Sequence, residues 1–477
     1  VWQRSAEHCW CDAPVSFDRD PRWLPVTARK LGLWSGVGIV IANMIGAGVL
    51  TTPGYMAMDL APSYILLAWL VGGVAALAGA RAYAAVAQAI PRSGGEYRYL
   101  STLWHPMLGY LAGWTSLLVG FSQPVALDAQ LVGFYSGTLG LDINWRVITV
   151  AVIVVVTALH AFDLRASRRG QNLLVAIKLT LVVGFVVAGV IAGSNAWPEW
   201  RPTASAHGLP LAPFFQALVF IAFCYSGWNA AIYASEEFTA PRRDVPRAML
   251  IGCATVMVLY MLVNWVFVAN LTPAHYGAWI GDDPDRITLG HVLMKDLVGV
   301  TGAKIMSGFM IVALLSAASA MTMIGPRVYA AMARDGYLPA VFAGKDGRPP
   351  LWSVLLQSAI ALAVAMTTSF IKAIATVGTV LTLMAALTAL GVFKLQLDKR
   401  QAEKPGIAAL IAATIFVGLA GWMLYFAFTS PLLNTVKLPV VGSVSSPLVW
   451  LVFIGLVTVV YAAWSARRGS RAPVVGE

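Results

Sequence analysis

Residues 43–54 read Asn43-Met44-Ile45-Gly46-Ala47-Gly48-Val49-Leu50-Thr51-Thr52-Pro53-Gly54, within an apolar segment long enough to cross a bilayer. Two glycines flank one alanine near its centre. A second stretch, Phe223-Cys224-Tyr225-Ser226-Gly227-Trp228-Asn229, occupies the centre of another such segment. Small residues in a membrane helix ordinarily serve close helix packing. They also mark places where a helix breaks, and a break at membrane depth is tolerated only beside a cavity or a ligand. The positions of the two stretches along the chain decide between these readings.

About 20 mainly apolar residues cross the hydrocarbon core. Twelve segments approach that length: 33–60, 62–88, 106–133, 146–162, 172–193, 213–235, 247–270, 302–331, 351–369, 373–393, 406–428 and 447–465. The two glycine stretches fall in the first and the sixth, so each opens a set of five. Five is odd, and the second set therefore runs inverted relative to the first. Interrupted helices at matching positions of inverted halves point to a transporter with its site between helices one and six. The expected architecture is an all-α polytopic membrane protein of 12 transmembrane helices. Its parts are a cytoplasmic tail over 1–30, a five-helix repeat over 31–195 and an inverted repeat over 196–400. Peripheral helices eleven and twelve follow over 401–466, then a cytoplasmic tail over 467–477.

Composition supports the membrane reading. Hydrophobic residues make up 58%, charged residues 12%, and the mean hydropathy is +0.73. Soluble domains carry about 25% charged residues. The chain has too few charges for a water-facing surface and too much apolar character for disorder. The net charge of +11 sits in small groups between apolar segments, which suits loops facing anionic lipid rather than a nucleic-acid face. With both termini cytoplasmic, 24 Lys and Arg lie inside and seven outside, with Arg81 and Lys178 within spans. The positive-inside bias selects this orientation, in a plasma membrane or a bacterial inner membrane.

Several classes are excluded. The first span is too long for a signal peptide. No P-loop is present, and no stretch between spans exceeds about 33 residues, which leaves no room for a nucleotide-binding domain. Four cysteines make no disulfide framework; Cys224 and Cys253 lie in apolar segments, and His8, Cys9 and Cys11 are too few ligands for a metal. No cofactor is expected. An enzyme would need His or carboxylates clustered at mid-membrane. His105, His160, His207, His275 and His291 fall mainly in loops or span ends, Asp128 near an outer end, and Glu236 and Glu237 near an inner end. The outer loop 271–301, with Gly281-Asp282-Asp283-Pro284-Asp285, is expected to form a solvated cap.

Four motifs in order carry a family resemblance: Ile45-Gly46-Ala47-Gly48-Val49 in helix one; Pro91-Arg92-Ser93-Gly94-Gly95-Glu96-Tyr97-Arg98-Tyr99-Leu100 after helix two; Ser226-Gly227-Trp228-Asn229 through Glu236-Glu237 to Pro241-Arg242-Arg243-Asp244-Val245-Pro246; and Arg327 through Ala333-Arg334-Asp335-Gly336-Tyr337-Leu338-Pro339. From about Leu31 onward the chain resembles the amino acid–polyamine–organocation superfamily, particularly its L-type and bacterial amino acid permeases. The resemblance implies the leucine-transporter-type fold and alternating-access transport of an amino acid across the lipid bilayer.

A broken helix offers partners to both ends of an amino acid. Free N–H groups opening the outer half of helix one suit the carboxylate. The resemblance assigns these to Ala47 and Gly48, with Ala47 replacing the family's common Ser. Carbonyls ending the inner half-helices suit the ammonium, and the matching positions are Met44, Phe223 and Ser226. Ile45 lies within the break, while Gly46, Gly48 and Gly227 leave room for the ligand. Phe223 matches the aromatic that covers the substrate. Asn229 stands where relatives that export cationic amino acids place Glu, so a cationic side chain would lack its counter-charge. Gly120, Phe121, Ser122, Gln123 and Thr379 are further candidates for the side-chain pocket.

Lys178 lies inside span five, where an ionisable group is functional by default unless it snorkels to the interface. The resemblance places it between helices one and eight, near Gly46, Ser316 and Ser319, where sodium-coupled relatives hold a cation. Its ammonium would take that ion's place and leave proton linkage or exchange. Arg81 reads as structural. The expected function is therefore secondary transport of neutral L-amino acids, with no nucleic-acid partner and no subunit assigned. A polyamine or organic-amine transporter of the same fold is the alternative, and a non-transporting nutrient receptor is the alternative from another class.

Overall fold

The first apolar segment folds as two helices. α1 (Leu33–Met44) ends at Ile45, whose backbone is extended at φ −80°, ψ 98°. α2 (Ala47–Met56) starts after Gly46, also extended at φ −136°, ψ −152°. The two axes meet at 40°. These observations come from a computed structural model, which describes residues 31–161, 164–206, 208–271, 288–344, 350–368, 370–399, 404–429, 435–438, 442–445 and 454–463.

α3 (Pro62–Ala89) follows, with Pro62 opening its first turn, where a missing N–H costs nothing. α4 (Glu96–Leu103) is short and half-polar. The third span joins α5 (Pro106–Thr115) to α6 (Ser122–Thr138) through a π-helical turn at Ser116–Phe121. A π turn inside a span re-aims the side chains that follow it and is frequent at functional sites. α7 (Trp145–Ala161) and α8 (Leu164–Ala192) complete the first half.

The sixth apolar segment also breaks. α9 (Leu211–Tyr225) stops at Ser226 (φ −57°, ψ 148°), and Gly227 adopts φ +98°. The chain resumes as a 3₁₀ segment, Ala230–Glu237, with Ala234 non-helical inside it. From sequence the break is expected within Phe223–Asn229; the helix persists through Tyr225. It ends where the Ser226 amide (2.9 Å) and hydroxyl (2.6 Å) both donate to the Phe223 carbonyl, closing a tight last turn.

Beyond it run α10 (Pro241–Asn270), α11 (Leu289–Ile324), α12 (Pro326–Arg334), α13 (Leu351–Thr367), α14 (Phe370–Leu397), α15 (Ile407–Thr429) and the short α16 (Ile454–Ala463). A small hairpin, β1 (Thr435–Leu438) and β2 (Gly442–Ser445), precedes α16. Among the described residues eight helices are long and apolar enough to span a membrane, and the bent pair α1–α2 makes nine. The shorter apolar helices α7, α13 and α16 fall in the expected fourth, ninth and twelfth segments. The chain is a multi-pass membrane protein built of helices, with one small hairpin among the described residues.

Two expectations change. The segment expected over 302–331 begins at Leu289, kinks at Gly299 and stops at Ile324, where Gly325 and Pro326 turn the chain into α12. The loop expected over 271–301 is thus helical from Leu289, because Leu289, Leu293 and Met294 have a core to bury against. The Gly281–Asp285 run, Arg286, His207, His275, both tails and the His8, Cys9 and Cys11 group lie outside the described residues.

The broken helices occupy the middle of the bundle. α1 packs against α8, α10 and α11, and α2 against α9, α10 and α11. At the end bearing α4 and α12, ion pairs tie the elements together: Arg98 to Asp335 at 2.7 Å and Arg327 to Glu237 at 2.5 Å. Leu31 pairs with the strand-like segment after the second break, its N–H donating to the Glu237 carbonyl at 3.0 Å.

Candidate functional site

The two breaks touch. A Cβ on Gly227 would stand 2.8 Å from both the carbonyl carbon and oxygen of Asn43 in α1. Only glycine combines that approach with a positive φ. Tyr260 of α10 bridges the breaks, its hydroxyl 2.6 Å from the Met44 carbonyl and 3.0 Å from that of Cys224. Its one proton is shared between two acceptors that an unbroken helix would satisfy itself.

A cavity of about 20 Å³ lies at this junction. Met44, Gly46, Gly48, Phe223 and Ser226, all expected site residues, line it. The Phe223 ring lies over Gly48, where a Cβ would meet it at 3.1 Å. Ile45 is buried in the extended link, and Ala47 is the first residue of α2. The ammonium acceptors expected from sequence are partly engaged: Phe223 O accepts twice from Ser226, and Met44 O accepts from Tyr260.

Two residues at this cavity were not singled out by sequence. Asn43 is buried and donates its amide N–H to the Ile39 carbonyl at 2.8 Å, which fixes the amide orientation; its Oδ1 has no partner among the described residues. Asp128 of α6 is only 4% exposed. Its Oδ1 lies 3.3 Å from the point a Gly46 Cβ would occupy. Sequence reading left it near an outer span end. The helix runs on to Thr138 rather than 133, which puts Asp128 about 15 Å inside that end at 1.5 Å per residue.

A larger cavity, about 80 Å³, adjoins on the side of α3 and α14. Ser226, Gly227 and Asn229 line it, as do Gly120 and Phe121; Ser122, Gln123 and Thr379 do not. Asn229 is not alone there. Its Nδ2 donates to Glu96 Oε1 at 2.5 Å, Tyr83 donates to the same oxygen at 3.0 Å, and Tyr233 donates to Oε2 at 2.5 Å. Burial raises the Glu96 carboxyl above its ordinary range, and the bonds from Tyr233, Tyr83 and Asn229 pull it back. Glu96 stood in a motif that the sequence reading used only to carry the family resemblance.

Lys178 of α8 is fully buried behind the first break. Its ammonium donates to Ala42 O at 3.1 Å and Ile45 O at 2.5 Å, and its charge interacts with the Asp128 carboxylate. The two serines expected near it differ. Ser319 is hydrogen-bonded to His160 Nε2 at 2.7 Å, while the buried Ser316 hydroxyl finds no partner among the described residues. Among those residues no group of three or more His, Cys, Asp or Glu is arranged to hold a metal.

A family profile described as amino acid permease matches residues 31–461. The chain is 25% identical over 419 residues to the large neutral amino acids transporter small subunit 2 of Rattus norvegicus, covering 84% of this chain and 76% of the relative. It is 25% identical over 432 residues to the Asc-type amino acid transporter 1 of Mus musculus, covering 84% and 77%. Against the b(0,+)-type amino acid transporter 1 of Mus musculus it is 29% identical over 257 residues, which span 51% of this chain and about half, 52%, of that relative.

Proposed function

The chain belongs to the amino acid permease family, and on that premise we propose that it carries neutral L-amino acids across the plasma membrane by alternating access. The family and the relatives compared are transporters of amino acids. The observation that carries the finer reading is the contact of two helix breaks over a shared cavity, with α2 presenting its N-terminus to that cavity. A half-helix N-terminus offers free N–H groups and a positive dipole end to a carboxylate.

Neutral selectivity is supported by the state of Asn229 and Glu96. The carboxylate beside the larger cavity already accepts three hydrogen bonds, and burial favours its uncharged form. A substrate guanidinium arriving there would have to displace those donors. Coupling to a proton or to exchange, rather than to sodium, is supported by Lys178. Its ammonium occupies the carbonyls of Ala42 and Ile45 at the end of α1, the oxygens a bound cation would use. The inverted repeats over 31–195 and 196–400 and the cytoplasmic placement of both termini are part of the same proposal.

The test is uptake of radiolabelled amino acids into proteoliposomes with sodium replaced by choline, at several pH values, with and without internal amino acid. Uptake of neutral amino acids in choline is expected. Strict sodium dependence would remove Lys178 from its role, tight arginine binding would overturn the selectivity, and no uptake of any amino acid would overturn transport.

A further inference from the structure

We propose that Asp128 receives the ammonium group of the substrate, with Asn43 Oδ1 as its second acceptor, and so determines that the ligand carries a free amino group. The inference rests on the reading of the junction as an amino acid site. Three observations lead to it. The Asp128 carboxylate borders the same small cavity as Gly46, Gly48 and Phe223, its Oδ1 3.3 Å from where a Cβ on Gly46 would stand. Asn43 borders it too and carries a buried oxygen with no partner among the described residues, which costs free energy unless a donor arrives. The Phe223 carbonyl, which the sequence offered to the ammonium, already accepts two hydrogen bonds and has no lone pair left.

An ammonium has three donors and a carboxylate about four acceptor sites. Asp128 can therefore hold the substrate nitrogen while still interacting with Lys178. Charge fits as well. Lys178 and Asp128 carry opposite charges, so the arriving ammonium meets a carboxylate as well as carbonyl dipoles, and that carboxylate offsets the repulsion from Lys178. Tyr260 is another titratable side chain whose charge interacts with Asp128, and its hydroxyl is engaged at Met44 and Cys224. The substrate carboxylate then lies toward the amides opening α2, on the opposite side of Gly46.

The experiment is binding by purified protein in lipid nanodiscs. A neutral L-amino acid is compared with its deamino analogue, the carboxylic acid that lacks the ammonium. Asp128→Asn should weaken the amino acid about a hundredfold, the usual scale for removing one partner of a buried charge pair, and leave the weak deamino acid unchanged. Asp128→Glu should recover much of the loss. An amino acid that binds folded Asp128→Asn as it binds the wild type overturns the assignment, and so does an equal loss for both ligands. If Asp128→Asn does not fold because Lys178 loses its counter-charge, Asp128→Asn/Lys178→Met is compared with Lys178→Met, and equal affinities in that pair overturn it. Wild-type protein that takes neither ligand fails at the earlier step, the reading of the junction as an amino acid site.

Discussion

Replacing Gly227 by Ala tests whether the meeting of the two breaks organises the protein. Two costs follow from its position. Gly227 has φ +98°, where an L side chain is strained, at about 1–3 kcal/mol. The new methyl would also stand 2.8 Å from the Asn43 carbonyl carbon and oxygen. Those atoms are backbone and cannot rotate aside, so helix one must retreat, at a further cost of about 1–3 kcal/mol. The sum is about 2–6 kcal/mol, a large share of the stability of an ordinary domain. Gly184→Ala is the control, since nothing lies within 4 Å of its added methyl and helix propensity favours Ala there by about 0.5–1 kcal/mol. Thermal melting of the purified protein should fall clearly for Gly227→Ala and hold or rise for Gly184→Ala, and uptake should be lost only in the first. A Gly227→Ala protein that melts and transports like the wild type would show that the breaks do not bear on each other.

Three further outcomes are expected. Lys178→Ala should abolish the pH dependence of uptake while residual binding survives; a mutant that keeps the wild-type pH profile takes Lys178 out of coupling. Asn229→Glu should move preference toward cationic amino acids, but it also sets a second carboxylate against Glu96, now 2.5 Å from Asn229 Nδ2, with a repulsion of about 4 kcal/mol for two charges 4 Å apart at an effective dielectric of 20. Its melting temperature should therefore drop more at pH 8 than at pH 5, and a pH-independent drop would contradict the Glu96 contact. For Glu96 itself the folded carboxyl is raised above the ordinary glutamate range, so its contribution is most favourable at low pH and declines as pH climbs from that range through the folded pKa. Glu96→Gln removes this slope, and melting curves of mutant and wild type should converge or cross as pH rises; parallel curves would mean Glu96 does not titrate in that window.

The membrane class and the sites of both breaks were legible because each rests on local chemistry. Apolar runs of bilayer length and glycines at mid-span are visible one residue at a time. Depth was less legible. Asp128 looked peripheral because the end of α6 was placed five residues early, and a carboxylate's role in a span depends on how far it lies from water. Glu96 was hidden for another reason. Its partners Tyr83, Asn229 and Tyr233 come from α3 and from the segment after the second break, up to 137 residues away, and no periodicity reports such a meeting. Lys178 was legible as unusual, yet its contacts with Ala42 and Ile45 are with backbone oxygens that exist as free acceptors only once α1 has ended.

Asp128 also changes the reason why sodium should not bind behind the first break. With Lys178 alone, a second cation about 4 Å away would meet roughly 4 kcal/mol of repulsion at an effective dielectric of 20. The nearby carboxylate cancels much of that, since the pair is neutral overall. What remains against sodium is occupancy. The Ala42 and Ile45 oxygens already hold ammonium protons, and sodium would need them together with other oxygens around an emptied pocket. The Ser316 hydroxyl is the one unengaged candidate among the two serines, because His160 holds Ser319. Removing Lys178 should then do more than remove a charge: it frees two carbonyls near a carboxylate, oxygens of the kind a small cation takes. Lys178→Ala should accordingly acquire sodium-dependent binding that the wild type lacks, measured as a rise in amino acid affinity when choline is replaced by sodium. A mutant indifferent to sodium would mean that occupancy by Lys178 was not the only barrier, and that the pocket lacks the oxygens to hold an ion at all.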